Sequence, residues 1–190
     1  MRRLLTLILA MALFTALAAP ASARPAWSEK SSDSIVDTAI ALSGGTEAGV
    51  FDDNASDFDI LINALIATGA VGLFDGTDYT VFAPTDQAFL DLASVLAGNT
   101  IDDEGVAFTT IAGAVGVDGV LDVLAYHLTD GVRNSVSVTK TSQVTMIDGN
   151  TITARSGSIE AIGSNAGFVL TDVRVSDGMI HVIDTVLLPF

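Results

Sequence analysis

The last fifteen residues, Ser176–Phe190, constrain the fold most, because they combine the periodicity of a β-strand with a strongly apolar composition. After a turn, the side chains from Ile180 to Ile183 alternate between two faces, which is the pattern of a strand. A terminal segment this apolar is stable in water only when it is buried. The sequence therefore predicts a buried terminal strand, in which His181 is catalytic, metal-binding or packed in the core.

The first 23 residues are typical of a secretion signal. Arg2 and Arg3 form a positively charged start, an apolar run follows, and small residues form a cleavage site that ends at Ala23. The apolar run is too short to predict a membrane span. We expect a polar leader at residues 24–32, a single domain at residues 33–190, and a secreted or periplasmic location. The chain has no cysteine, so it forms no disulfide.

The predicted mature chain is strongly acidic. Arg2 and Arg3 leave with the signal, so six basic residues remain against 23 acidic ones and the net charge is −17. Such a charge argues against a basic patch that binds nucleic acid or anionic lipid. We expect no nucleic-acid partner and no membrane insertion after signal cleavage.

The first half of the mature chain is rich in helix signals. Ser34 predicts the start of a helix over residues 35–42. Ser56 and Asp59 together predict the start of a second helix, which ends near Gly69. The predicted apolar face of this second helix consists of Phe58, Leu61, Ile62, Leu65 and Ile66.

A short strand and two further helices follow. Residues 79–82 have strand character, and Thr85 is a suitable N-cap for the helix after them. Asp118 predicts the start of a later helix, which Gly131 ends. The apolar residues of that helix are Val120, Leu121, Val123, Leu124 and Leu128.

From Ser135 onward, apolar and polar residues alternate, which favours strands. Val136 and Val138 open this pattern, and Ile147–Asn150 is typical of a hairpin turn. Because helices dominate the first half and strands the second, the sequence predicts an α+β fold.

No motif predicts an enzyme or a metal centre. The serines lack a nucleophile-elbow sequence, two histidines without cysteine are too few for a typical zinc site, and the glycines between residues 113 and 119 fit no nucleotide loop. Acidic residues from Asp52 to Asp59 suggest calcium. An EF-hand beginning at Asp52 would need glycine in place of Asp57 and glutamate in place of Asn63. Helix capping explains these residues more simply, and a His/Asp site or a bound calcium ion stays open as an alternative.

Three segments, in this order, resemble the fasciclin (FAS1) domain family. They are YTVFAPTDQAF at residues 79–89, LAYHL at residues 124–128 and DGMIHVIDTVLLP at residues 177–189. The resemblance implies a β-wedge of about seven strands flanked by N-terminal and central helices. In that fold, the first and last segments form neighbouring central strands. It also implies an extracellular contact module that is not an enzyme and has no cofactor or metal.

The resemblance implies roles for single residues as well. The expected fold determinants are Thr85, Asp86, Phe89, His127, His181 and Asp184. The side chains of Thr85 and Asp86 would cap the helix after the first strand and secure its loop. His127, near the end of a helix, and His181 would each be packed and hydrogen-bonded rather than catalytic.

Two functions stay open. The first is adhesion to a cell-surface or matrix component, protein or polysaccharide, with self-association as one route to bridging two surfaces. The positions that correspond to integrin-binding residues of animal relatives are Asp172, Val173, Tyr126 and His127. For Asp172, the simpler interpretation is a solvent-facing strand residue, and Trp27 in the leader could supply an exposed ring.

The second function is that of a carrier for an apolar small molecule such as a carotenoid, since some fasciclin relatives bind such pigments. This role needs a hydrophobic groove. Val71, Leu73 and Phe74, ahead of the first segment, could line it or belong to the core.

Overall fold

The computed structural model describes residues 32–44, 50–52, 54–74, 77–141, 143–155 and 157–190. The predicted signal segment, Trp27 and nearly all of the predicted leader lie outside these ranges.

Helices dominate the first half of the described chain and strands the second. The α-helices are α1 (Ile35–Leu42), α2 (Asp59–Thr68), α3 (Asp86–Ala97), α4 (Glu104–Ala125) and α5 (Ser135–Lys140), and a 3₁₀ helix covers Ala70–Phe74. The strands are β1 (Tyr79–Pro84), β2 (Leu128–Asp130), β3 (Val144–Thr145), β4 (Thr151–Arg155), β5 (Ser158–Glu160), β6 (Asn165–Val175) and β7 (Gly178–Ile183). This arrangement confirms the predicted α+β fold class.

The strands form one mixed sheet in the order β2-β1-β7-β6-β5-β4-β3. Strands β1 and β7 run parallel, with Phe82 opposite His181. The other strand pairs are antiparallel. The first and last segments that resemble the fasciclin family are therefore neighbouring strands, as predicted.

The sheet curls until its two edge strands meet. The backbone N–H of Ile147, just after β3, donates to the carbonyl of Leu128 in β2 at 2.9 Å. The hydroxyl of Thr129 donates to the carbonyl of Thr145 at 2.8 Å. These two bonds nearly close the sheet into a barrel and so protect edges that would otherwise expose unpaired backbone groups.

Hydrophobic residues form two clusters, one on each face of β1 and β7. Val81, Ile180 and Val182 belong to the outer cluster, which the helices α1–α4 cover. Phe82 and Ile183 belong to the inner cluster, which fills the curled sheet. The alternation predicted for the terminal strand is confirmed, and all six residues of β7 are buried because both faces of the strand are covered.

The first two helices match the predictions in part. Ser34 caps α1 as predicted. α2 ends at Gly69 as predicted, but Ser56 does not cap it, because the helix begins only at Asp59. Ile66 was predicted on the buried face and is 50% exposed. The other four residues of the predicted face are buried, and the buried face is wider than predicted because it also includes Asp59, Ile60 and Ala64.

α4 begins earlier than predicted. Its N-cap is Asp103, whose carboxylate accepts from the N–H of Val106 at 2.8 Å, and the predicted cap Asp118 lies inside the helix. Gly116 has φ 72° and ψ 173°, a conformation that only glycine adopts readily, and it kinks the helix. The first half of α4 was not predicted from the sequence, because it contains several glycines and glycine is a poor helix former.

α4 also ends earlier than predicted. His127 lies just beyond its last residue, Ala125, and Leu128 begins a strand instead of extending the helix to Gly131. Within the described ranges, α4 is the one helix whose length and composition would allow it to cross a membrane. It is kinked and packs against α2 and α3.

The strand predicted at Val136 and Val138 is wrong, because this segment forms the helix α5. The side chain of Asn134 caps it by accepting from the N–H of Ser137 at 2.8 Å. Only Val138 of α5 is buried, so the alternation of valines did not indicate a sheet face. The predicted hairpin turn is confirmed, since β3 pairs with β4 across Ile147–Asn150.

Candidate functional site

His127 is buried between the end of α4 and the C-terminal segment. Its Nδ1 lies 2.6 Å from the carbonyl oxygen of Val123, and its Nε2 lies 2.9 Å from the amide nitrogen of Leu187. Because a carbonyl only accepts and an amide N–H only donates, the ring is neutral with its proton on Nδ1. Burial lowers the pKa of His127 to about 4. His127 therefore joins two distant parts of the chain and has no free nitrogen.

Tyr126 lies within the inner cluster and is fully buried. Its hydroxyl donates to the carbonyl of Thr151 at 3.0 Å and accepts from the N–H of Ile162 at 3.2 Å. Burial raises the pKa of Tyr126. Neither Tyr126 nor His127 can belong to an interaction surface in this conformation, which corrects the expectation drawn from the family resemblance.

His181 lies on the inner face of β7 and stacks on Phe82, with 5.6 Å between the ring centroids. Its Nε2 lies 2.9 Å from the carbonyl oxygen of Arg133, and its Nδ1 accepts from the N–H of Asp172 at 3.2 Å. The proton is thus on Nε2, the opposite nitrogen from that in His127. Burial lowers the pKa of His181. Both nitrogens are engaged by backbone groups, so the ring is not available to a substrate or metal ion.

Asp172 has a φ of 65°, and it is the one non-glycine residue with a positive φ in the described part of the chain. It lies in an irregular stretch of β6 between Leu170 and Val173. Its Oδ1 accepts from the N–H of Ser135 and its Oδ2 accepts from the Ser135 hydroxyl, both at 2.6 Å. Asp172 is therefore half-buried and tied to the start of α5, which corrects its interpretation as a solvent-facing strand residue.

Exposed apolar side chains lie next to Asp172 in β6 and next to its partner Ser135 in α5. Val136 lies in α5, next to the residue that binds Asp172, and is 54% exposed. Val169 and Leu170 precede Asp172 in β6 and are 60% and 38% exposed. Val173 is half-buried against the outer cluster. We call Val136, Val169, Leu170 and Asp172 the Asp172 surface.

Asp86 links α3 to α2. Its Oδ2 accepts from the N–H of Asp59 at 2.8 Å and its Oδ1 from the N–H of Ile60 at 2.9 Å, so its carboxylate caps α2. Its own N–H donates to the carbonyl of Asp57 at 3.0 Å. Thr85 is the N-cap residue of α3, as predicted. The prediction that the side chains of Thr85 and Asp86 cap this helix is wrong, because Thr85 makes no side-chain capping bond and Asp86 is directed at the neighbouring helix.

Phe89 and Asp184 hold two other parts of the fold. Phe89 is buried in the outer cluster. Asp184 follows β7, and its Oδ1 accepts from the N–H of Gly167 at 2.6 Å. A Cβ added at Gly167 would lie 2.6 Å from the Asp184 carboxylate, so this approach requires glycine. The predicted fold determinants thus make contacts within the fold, and their effect on stability stays a prediction.

Two apolar cavities lie beneath the helices. One, of about 30 Å³, lies between α1, α2 and β1 and is lined in part by Phe74. The other, of about 60 Å³, lies between α3, α4 and the C-terminal segment and is lined in part by Phe89 and Phe108. Val71 lines neither cavity, and the side chain of Leu73 lies outside the described part. Ligand pockets usually measure about 300–1,000 Å³, so neither cavity has room for a carotenoid.

The partners of these residues were not predicted. Leu187 binds His127 through its backbone amide, and every residue except proline has such a group, so no signal could have identified it. Ser135 binds Asp172, and here a signal existed. Asn134 followed by a serine is typical of a helix start and would have indicated α5.

A family model described as the fasciclin domain matches residues 56–189 of this chain. The match contains all three segments on which the sequence resemblance depends. It covers well over half of the chain.

Two curated bacterial relatives show the same similarity. Protein sll1483 of Synechocystis is 29% identical over 129 residues, which is 68% of this chain and 61% of the relative. Cell surface glycolipoprotein MPB83 of Mycobacterium bovis is 29% identical over 119 residues, which is 63% of this chain and 47% of the relative. The chain therefore spans about half to three-fifths of the length of these relatives.

A solved structure of a FAS1 domain pair from the insect cell adhesion molecule Fasciclin I is also similar. The TM-score is 0.49 at 18% sequence identity, over 66% of this chain and 43% of that chain.

Proposed function

The chain belongs to the fasciclin domain family, a family of non-catalytic adhesion and surface domains, and we propose that it binds a cell-surface or matrix component outside the cytoplasm. The partner is a protein or a polysaccharide. The secretion-like first 23 residues support a secreted or periplasmic location. The similarity to a protein named as a cell surface glycolipoprotein supports it as well.

The observation that carries this proposal is the Asp172 surface. Asp172 is held by Ser135 on one side and by His181 on the other, so the backbone at Asp172 is fixed relative to the start of α5 and to β7. A surface that is already ordered loses little conformational entropy when it binds. Asp172 ties the strand that carries Val169 and Leu170 to the helix that carries Val136, and exposed large apolar side chains are typical of interaction sites when they form one patch.

Binding of the mature protein to cells of the source bacterium that lack their own copy tests the proposal. We expect Val136→Ser and Val169→Ser each to weaken binding at least about fivefold, because each removes exposed apolar area. Val95→Ser is the matched control, since Val95 is 79% exposed on α3 and outside the Asp172 surface. Equal binding by all three variants and the wild type would overturn the role of this surface.

Bridging two cells requires two binding sites, and a single Asp172 surface provides one. We propose that self-association of the mature protein supplies the second. Sedimentation equilibrium measures the mass in solution, and a dimer is the expected result. A monomer at all concentrations would contradict self-association and leave bridging to a multivalent partner.

The carrier role has weaker support, because the apolar cavities of about 30 and 60 Å³ are far smaller than an apolar pigment requires. The visible absorption spectrum of the protein purified from its native host separates the two functions. A colourless protein is expected, whereas a bound chromophore would overturn the adhesion proposal in favour of a carrier whose cavity opens.

A further inference from the structure

Three helices begin at acidic residues that meet in the interior. Asp59 is the first residue of α2, Asp86 of α3 and Glu104 of α4, and Asp57 precedes α2 by two residues. All four side chains are at most 2% exposed. Carboxylic acids are almost never this deeply buried unless each is paired, so the cluster requires a physical explanation.

Hydrogen bonds satisfy only part of this cluster. Both oxygens of Asp86 accept backbone N–H groups of α2, and Oδ2 of Asp57 accepts from the Asn54 side chain at 2.9 Å. Oδ1 of Asp57 and Oδ2 of Asp59 are buried, and no N–H or hydroxyl group in the described ranges donates to either. The Asp57 side chain lies within hydrogen-bond reach of the Asp86 carboxyl, so the alternative to a cation there is a proton shared by the two acids. A buried acceptor without a partner costs about 1–3 kcal/mol, and more when it carries charge.

Positive charge near these oxygens is scarce. The basic residues in the described ranges are Arg133, Lys140, Arg155 and Arg174, all in the second half of the chain. The one ion pair between described residues joins Arg155 to Glu160 at 3.5 Å. The N-termini of the three helices contribute partial positive charge, which stabilises one carboxylate at each helix. This partial charge does not provide a hydrogen-bond donor for Oδ1 of Asp57 or Oδ2 of Asp59.

The pKa values of Asp59 and Asp86 reflect their burial and their closeness to other carboxylates. Burial, followed by the neighbouring carboxylates of Asp57 and Asp52, raises the pKa of Asp59 to about 6. Burial and the contact with Asp57 raise the pKa of Asp86.

We propose that this cluster binds a calcium ion beside Asp59, with Asp57 as the second ligand and Asp86 completing the set. One oxygen from each of these three residues lies within 4.8 Å of the others. Calcium–oxygen distances are about 2.3–2.6 Å, so two ligands on opposite sides of the ion are about 4.8 Å apart. The two free oxygens become ligands, and their charge is neutralised.

A second group of oxygens connects the site to solvent. Asp52, Asp59 and Glu104 also offer oxygens within 4.8 Å of one another, and Asp52 is exposed. Asp59 belongs to both groups, so an ion that arrives at Asp52 reaches the buried ligands through a shared residue. All of these ligands are carboxylate oxygens, which favours calcium over zinc, and the irregular arrangement suits calcium better than magnesium.

Calorimetric titration of the EDTA-treated mature protein with calcium chloride at pH 7.5 tests this site. We expect saturable binding of one ion per chain and a higher melting temperature when calcium is present. Magnesium chloride at the same ionic strength should produce a smaller shift. Asp57→Asn and Asp59→Asn should each weaken calcium binding at least about tenfold, because each replaces a charged ligand with a neutral one.

The same two variants provide a second, opposite readout. In EDTA, each should melt at a higher temperature than the wild type, because each removes a buried charge that lacks a partner. Asp122→Asn is the matched control, since Asp122 is exposed on α4, and it should change neither calcium binding nor stability.

Three outcomes would overturn the calcium site. Wild-type protein that is unaffected by 1 mM calcium, on the scale of weak extracellular calcium sites, would show that protons alone neutralise the cluster. Magnesium binding as tight as calcium binding would refute the assignment of the ion. An equal loss of binding in Asp122→Asn would indicate diffuse attraction to surface charge. If the asparagine variants fail to fold, equilibrium dialysis of the wild type still decides the question, because the site requires one calcium ion per chain.

Discussion

His127 and His181 have complementary hydrogen bonds, with the proton on Nδ1 in the first and on Nε2 in the second. In each ring, the other nitrogen accepts from a backbone N–H. Protonating either ring would turn that acceptor into a donor that faces another donor, inside a core that already disfavours charge. This geometry explains why both side chains are neutral.

We expect the stability that His127 contributes to be lost as the pH falls from about 6.5 to about 4. The pKa of His127 is about 4 in the folded chain and has its ordinary value of 6.5 when solvated. In this interval the unfolded chain binds a proton that the folded chain does not, so unfolding becomes easier. One pKa unit corresponds to about 1.4 kcal/mol, which makes the loss about 3 kcal/mol. Urea unfolding at pH 7.5 and pH 4.5 measures it.

The comparison for this prediction is His127→Gln, which removes the titrating ring. Asp59 has a raised pKa and acts in the opposite direction, because the folded chain gains its proton first as the pH falls. His181 and Asp86 also have shifted pKa values, so the wild-type pH dependence combines several effects, and the difference between the two proteins isolates His127. Identical pH dependence in both proteins would contradict the prediction.

Asp172 combines an unusual backbone with a specific carboxylate contact, and two substitutions separate these effects. Asp172→Asn keeps a residue that tolerates positive φ and one oxygen that accepts from Ser135. Asp172→Ala loses both bonds to Ser135 and adds backbone strain of about 1–2 kcal/mol. We expect the alanine variant to be destabilised by about 1–3 kcal/mol more than the asparagine variant in urea unfolding. Equal stability of the two variants would show that neither the bonds to Ser135 nor the tolerance of a positive φ at residue 172 contributes to stability.

At the scale of elements, the starts of two helices in this fold receive carboxylate groups from other elements. α2 is capped by Asp86 from α3, and α5 receives the carboxylate of Asp172 from β6. Local capping rules correctly predicted Ser34 as the N-cap of α1 but wrongly predicted Ser56 as the N-cap of α2. The second prediction failed because such rules consider only neighbours in sequence. The start of α2 could not be located without knowing that α3 lies beside it.

The kink in α4 gives a prediction for glycine substitutions. Gly116 has φ 72° and ψ 173°, so a side chain there is strained, whereas Gly113 is helical with open space around it. We expect Gly116→Ala to lower stability by about 1–3 kcal/mol and Gly113→Ala to raise it by about 0.5–1 kcal/mol. Thermal unfolding of both variants measures the difference. An increase in melting temperature for both would mean that α4 is straight in solution.

At the scale of the whole molecule, the strands at the centre of the sheet were predictable from the sequence. The Asp172 surface and the burial of the acidic run were not. Residues 79–82 and 180–183 carry their own apolar periodicity, so their strand character and burial followed from local pattern, whereas their pairing followed from the family resemblance. The Asp172 surface depends on contacts between residues distant in sequence, such as Ser135 with Asp172. The acidic run from Asp52 to Asp59 was visible, but its burial against α3 and α4 was not, because it arises only when three helices converge.

The closure of the sheet provides the last prediction. Thr129 is 1% exposed, and its hydroxyl donates across the closing edge to Thr145. Thr129→Val keeps the shape and removes this bond, so we expect a loss of about 1–3 kcal/mol. We also expect faster hydrogen exchange at the amide of Ile147, which donates to Leu128 at the same edge. Thr153→Val in β4, away from this edge, is the control. If Ile147 exchanges at the same rate in both variants, the edges of the sheet do not depend on the threonine bond, and the backbone contact alone closes the barrel.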